Sequence, residues 1–85
     1  FRIITSDDDA VLGLYYETDE RSILTFVNFS DQPVQFTAKG IRNATWTACL
    51  EDKRYDDALI CGKTVKLSLG GYGYRWFWTH RSALR

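Results

Sequence analysis

Five aromatic side chains and one arginine crowd into Tyr72-Gly73-Tyr74-Arg75-Trp76-Phe77-Trp78. Aromatic rings offer flat apolar faces that stack on a sugar, on a nucleic-acid base or on other rings in a core, so this run is the richest source of recognition chemistry in the chain. Tyr15 and Tyr16 form a second, smaller aromatic pair. The groups that could move protons or hold metals have poorer settings. Asp7-Asp8-Asp9 could offer oxygen ligands to calcium, but a carboxylate run ahead of the first patterned segment is more naturally solvated. Asp52, Asp56 and Asp57 share a polar stretch with Lys53 and Arg54, which neutralise them locally. His80 lacks a serine or cysteine partner in sequence. Cys49 and Cys61 lack the close paired spacing of a structural zinc site. Either they close a disulfide, which would stabilise by about 3 kcal/mol in an oxidising compartment, or they remain free and at least half buried. No catalytic, metal or cofactor residue is assigned.

The aromatics need strands to present them, and period-two apolar patterning recurs along the chain while helical periodicity is confined to an ambiguous stretch near Tyr55 to Ile60. Ala10 to Glu17 places Leu12, Leu14 and Tyr16 on one face and Val11 and Tyr15 on the other. Thr18-Asp19-Glu20-Arg21 has the polarity of a hairpin connection into Ser22 to Ser30. Both alternate sets of that second strand are largely apolar, which predicts a central strand covered on both faces. Ser30-Asp31-Gln32-Pro33 has turn chemistry, and Val34, Phe36 and Ala38 then alternate with polar residues. Trp46, Ala48 and Leu50 are the expected inward set of a further strand, and Glu51 to Gly62 is expected to be irregular. Val65, Leu67 and Leu69 mark another amphipathic strand. Gly70-Gly71 suits a tight turn because glycine reaches positive φ without steric cost. In the last strand, Gly73 to Thr79, the spacing sets Tyr74, Trp76 and Trp78 opposite Arg75 and Phe77, and the first set is expected to pack against Val65, Leu67 and Leu69 as core or to cover a domain interface. Nothing beyond His80 argues for regular structure. The expectation is an all-β fold, a small antiparallel Greek-key β-sandwich of about six to seven strands, the two-sided second strand favouring two packed layers over a barrel.

With 85 residues the chain forms one domain, of a size that buries roughly 60 to 65% of its unfolded surface, so a neighbour would help its stability. Apolar residues make up 45% of it, ample for a core, and its 11 basic and 11 acidic side chains give no field to capture nucleic acid or an anionic membrane. No apolar run approaches the roughly 20 residues of a membrane span, and the amino terminus has no leader-like pattern, so a cytoplasmic location is expected. Asn28-Phe29-Ser30 and Asn43-Ala44-Thr45 match a glycosylation pattern too common by chance to argue secretion. The start at Phe1 is expected to reflect excision of residues 1–85 from a longer polypeptide.

Val11-Leu12-Gly13-Leu14-Tyr15-Tyr16, then Ser22 to Asp31 with Pro33-Val34, and finally Tyr72-Gly73-Tyr74-Arg75-Trp76-Phe77 resemble the carboxy-terminal β domain of α-amylase-family glycoside hydrolases. The resemblance covers nearly the whole chain. The extended Tyr-Gly-Tyr-Arg-Trp form is most similar to the trehalose synthase and maltose-converting branch, although Gly70-Gly71 and Trp78-Thr79-His80 depart from the usual flanks of the motif. The resemblance implies an accessory domain without catalytic residues. Its partner would be the catalytic (β/α) barrel of the parent chain, where two carboxyl groups about 5 Å apart perform retaining chemistry on maltose, trehalose or α-glucan. Tyr15, Tyr16, Trp76, Phe77 and Trp78 are the candidate docking residues, or sugar contacts if the domain is an independent carbohydrate-binding module. Exposed without the barrel, that patch would favour weak self-association. An immunoglobulin-like interaction domain is a poorer alternative, because the Cys49 to Cys61 spacing is too short for the usual inter-sheet pair.

Overall fold

Eight antiparallel strands divide between two sheets in the computed structural model, which describes residues 2–42 and 44–80. Strands β1 (Arg2–Ile4), β2 (Val11–Glu17), β3 (Arg21–Asn28), β5 (Thr47–Glu51) and β8 (Tyr74–His80) form one sheet, and β4 (Val34–Lys39), β6 (Leu59–Cys61) and β7 (Thr64–Leu69) the other. The spatial orders are β1-β2-β3-β8-β5 and β4-β7-β6. The all-β sandwich is as expected, its eight strands including two beyond the six that the sequence pattern delimits. Those two, β1 and β6, have three residues each, too few for an alternation to register. Asn43 and residues 81–85, on which a glycosylation pattern and an irregular tail were placed, lie outside the described residues.

β3 is the middle strand of the larger sheet, and its parity decides what is inside. Ser22, Leu24, Phe26 and Asn28 are buried, whereas Ile23, Thr25 and Val27 are only half buried, so the strand has one core face rather than two. Phe26 meets Phe36 of the opposite sheet edge-on at 5.2 Å. Gly13 lies directly across from Phe26, and a Cβ there would stand 2.9 Å from the Phe26 ring, so the glycine leaves the ring its space. Val65, Leu67 and Leu69 all point inward as their spacing predicts. β5 does not follow its pattern. Trp46 is buried ahead of the strand, but Ala48 and Leu50 are exposed, because this is an edge strand with a register shift between them.

Two of the four crossings between sheets, from β3 to β4 and from β7 to β8, are tied together by Asn28. Its side chain is 1% exposed and every hydrogen-bonding position on it is used. Nδ2 donates to the carbonyls of Gln32 at 2.8 Å and Gly70 at 3.0 Å, and Oδ1 accepts from the Ser30 N–H at 2.9 Å and hydroxyl at 3.0 Å. The turns then run backbone against backbone: a Cβ on Gly71 would lie 2.4 Å from the Asp31 carbonyl oxygen. The glycines of this turn serve close approach rather than positive φ. The left-handed residue is Tyr72, at φ 54°.

Tyr55 extends the link on the inner side of the turn. Its hydroxyl accepts from the Gly70 N–H at 3.0 Å and donates to Asp52 Oδ1 at 2.7 Å, and the same oxygen accepts from the Tyr74 N–H at 3.0 Å. Desolvation would raise the Asp52 carboxyl, but the hydrogen bonds from Tyr55, Tyr74 and its own amide, with Lys53 nearby, outweigh it and hold the group below its ordinary value of 3.8. Replacing Asn28 with Ala leaves buried carbonyls unpaired and is expected to cost about 1 to 3 kcal/mol in denaturant unfolding. An unchanged midpoint would reject the role. Because the folded Asp52 is depressed, its contribution to stability is complete above 3.8 and fades as the pH falls below that value. The difference in thermal midpoint between the native chain and Asp52→Asn should therefore narrow on acidification below that point, and a constant difference would disprove the linkage.

Candidate functional site

The parity of β8 separates the aromatics. Arg75, Phe77 and Thr79 point inward, and Tyr74, Trp76 and Trp78 point away from the core. The expected packing of Tyr74, Trp76 and Trp78 as a core face against Val65, Leu67 and Leu69 is thereby corrected: the arginine and Phe77 take the inner positions. An arginine is tolerated there because it is fully engaged. Arg75 Nε donates to Glu51 Oε2 in an ion pair and Nη2 to the Asp56 carbonyl at 3.0 Å, with the guanidinium 4.8 Å from the Tyr55 ring centre. Asp56 and Tyr55 belong to the segment between β5 and β6, so this segment closes the sandwich over a buried cation.

Tyr15 and Phe77, two of the five candidate contact residues, are 5% and 4% exposed and belong to the core. Their roles as surface contacts are corrected accordingly. Tyr15 packs edge-on against Trp46 at 6.1 Å, and its hydroxyl donates to Glu17 at 2.8 Å beside Ser22. Burial pushes this phenol up, with the Ser22 hydrogen bond opposing and Glu17 reinforcing the shift. Tyr16, Trp76 and Trp78 do share the outer face. The register Ile3–Leu14–Thr25–Trp76–Leu50 crosses the whole sheet, with Tyr16–Ile23–Trp78–Thr47 on one side of it and Leu12–Val27–Tyr74 on the other. Ile3, Tyr16, Leu50 and Trp76 are exposed. The other sheet turns Gln35, Thr37, Lys39, Lys66 and Ser68 outward, so its outer face is mainly polar, with exposed Leu59 on its edge strand β6 the large apolar side chain there. Alternation alone could not choose between the two sets on β8, because both contain large aromatics.

The titratable groups have local duties. Asp7 Oδ1 accepts from the Thr37 N–H and Asp8 Oδ1 from the Ala10 N–H, each at 2.8 Å, so two of the three consecutive aspartates pin backbone. Among the described residues, no group of three or more His, Cys, Asp and Glu side chains could hold a metal ion. His80 packs edge-on against Trp78 at 4.8 Å. Cys49 and Cys61 are free and exposed, one in each sheet, rather than half buried. The Cys49 thiol donates to the Trp76 carbonyl at 3.4 Å, and burial of that sulfur raises it, against its backbone hydrogen bond and Arg21. No helix among the described residues is long and apolar enough to cross a membrane.

The family model described as the sucrose hydrolase-like C-terminal domain matches residues 21–78, from the start of β3 into β8. No curated protein and no solved structure matches the chain. The matched span holds the Asn28 turn, the paired Glu51 and Arg75 and the outward Trp76 and Trp78, and by it the chain belongs to the sucrose hydrolase-like C-terminal domains of the α-amylase family.

Proposed function

We propose that this chain is a non-catalytic accessory domain that seats the outer face of its five-stranded sheet on the catalytic barrel of its parent enzyme and stabilises it. The observation that carries this reading is the asymmetry between the sheets. One outer face is mainly polar, and the other is an apolar grid on which Arg21 is the one Lys, Arg, Asp or Glu among the described strand residues. Free proteins rarely expose so continuous an apolar surface unless it meets a partner. β1, the strand through which a preceding domain would lead in, is the edge of that same sheet. For the reaction of the parent we infer an α-glucoside substrate, a class that includes maltose, trehalose and the sucrose named in the family description. The Tyr72-Gly73-Tyr74-Arg75-Trp76 form supports the trehalose- and maltose-converting branch within that class.

Two measurements test the reading. Trp76→Asp places a charge in the proposed interface, and it should destabilise the parent enzyme by about 1 to 3 kcal/mol more than it destabilises the 85-residue chain. Equal effects would remove the interface. The chain itself, titrated with maltose, trehalose, sucrose and a longer α-glucan by tryptophan fluorescence, should bind nothing more tightly than about 4 kcal/mol, the millimolar range. Micromolar, saturable binding lost in Trp76→Ala would replace docking with independent carbohydrate recognition.

A further inference from the structure

Near the middle of the outer face the sheet is not flat. Leu14, Tyr16, Ile23, Thr25 and Trp76, contributed by β2, β3 and β8, surround an open concavity of about 270 Å³. Thr25 is its floor in the register sense: it lies between Leu14 and Trp76 across the sheet and next to Ile23 along β3, all three with longer side chains than its own. The accessible lining is apolar throughout. A sugar seated there would find only the hydroxyls of Thr25 and Tyr16 as side-chain partners, too few for its own several hydroxyl groups, and each hydroxyl taken from water without a hydrogen bond is costly. At about 270 Å³ and open to solvent, the concavity also lies at the small end of small-molecule pockets and would leave much of a disaccharide uncovered. An apolar side chain projecting from a packed protein surface meets neither objection.

We infer that this concavity is a socket for one apolar side chain of the parent enzyme's catalytic domain, presented beside a carboxylate that meets Arg21. The inference rests on the docking proposed above and specifies its centre. Arg21 supplies the orientation. It stands at the end of β3, its guanidinium 4.9 Å from the Trp78 ring centre, which holds the charge against the apolar face instead of leaving it to swing in solvent. An anchor in an apolar pocket is the arrangement by which a few residues carry most of the energy of a contact, and a charged pair outside the pocket adds orientation more than energy. The catalytic domain is favoured over a second copy of the chain because the first strand enters at the edge of this sheet and the family is defined as a C-terminal domain.

The test uses the whole parent enzyme with p-benzoylphenylalanine in place of Tyr16, irradiated and mapped by mass spectrometry. The expected product is an intramolecular cross-link to an apolar residue of the catalytic domain, reduced roughly tenfold when Thr25→Phe fills the socket. A cross-link to a second copy, a cross-link to the catalytic domain that Thr25→Phe leaves unchanged, or no cross-link overturns the socket. Hydroxyl-radical footprinting of the otherwise native parent separates this from the broader reading, with exposed Tyr72 as the internal reference. Protection of Tyr16, Trp76 and Trp78 without the cross-link removes the socket and leaves the docking face; reactivity equal to that of Tyr72 removes both.

Discussion

The side-chain amide of Asn28 is the contact on which both sheets depend. A sandwich of two unequal sheets is held mainly by apolar packing, which is non-directional and tolerates sliding. Asn28 removes that freedom at the end where the chain crosses between layers twice. One buried group there fixes the turn after β3 and the turn before β8 against each other, and leaves none of its own polar atoms unpaired. The hydrogen bond from the Asn28 N–H to the Gly73 carbonyl and that from the Tyr72 N–H to the Ser30 carbonyl, at 2.9 Å and 2.8 Å, complete the same junction. With β8 thus set beside β3, the parity of its aromatics follows.

That parity gives the domain two unlike exteriors. Had Tyr74, Trp76 and Trp78 been inward, Arg75 and Phe77 would face solvent and the larger sheet would offer nothing continuous to a partner. Instead the arginine is inside, and the cost of removing its charge from water is met by Glu51, the Asp56 carbonyl and the Tyr55 ring. The segment from Asp52 to Ala58 therefore has a structural task that its polarity conceals. It supplies Tyr55 and the Asp56 carbonyl over an interior that strands alone do not cover.

Much of the fold was legible because half-buried strands leave a period-two trace: β2, β4 and β7 follow it, and in β4 and β7 the inward residues are those the alternation selects. The turn at Asn28 was legible as turn chemistry. Other features left no such trace. Three-residue strands are too short to show a period, and β5, an edge strand with a shifted register, has no buried face to betray. On β8 the signal was present but ambiguous, since hydrophobicity cannot rank Phe77 against Trp76 while the ion pair that draws Arg75 inward lies 24 residues away. Tyr15 was misplaced as a contact for a related reason, because adjacent tyrosines necessarily point to opposite faces and their types do not say which. The outward set became a candidate surface only once the contrasting polarity of the other sheet was known.

The place of β8 has a consequence for how the domain comes into being. β8 follows all the other strands in the chain, yet it lies between β3 and β5 and is bonded to both. During synthesis β3 and β5 emerge with no common neighbour, and the larger sheet cannot close until Tyr74–His80 has left the ribosome. Pairings as distant as Arg21 with His80 are slow to form, since the long intervening loop must be closed before they contribute. Any domain ahead of it in the chain has that interval in which to fold first. On the docking proposed above, the apolar grid completed by Trp76 and Trp78 would form in the presence of its cover, and the order of translation would limit the time this surface spends open to aggregation.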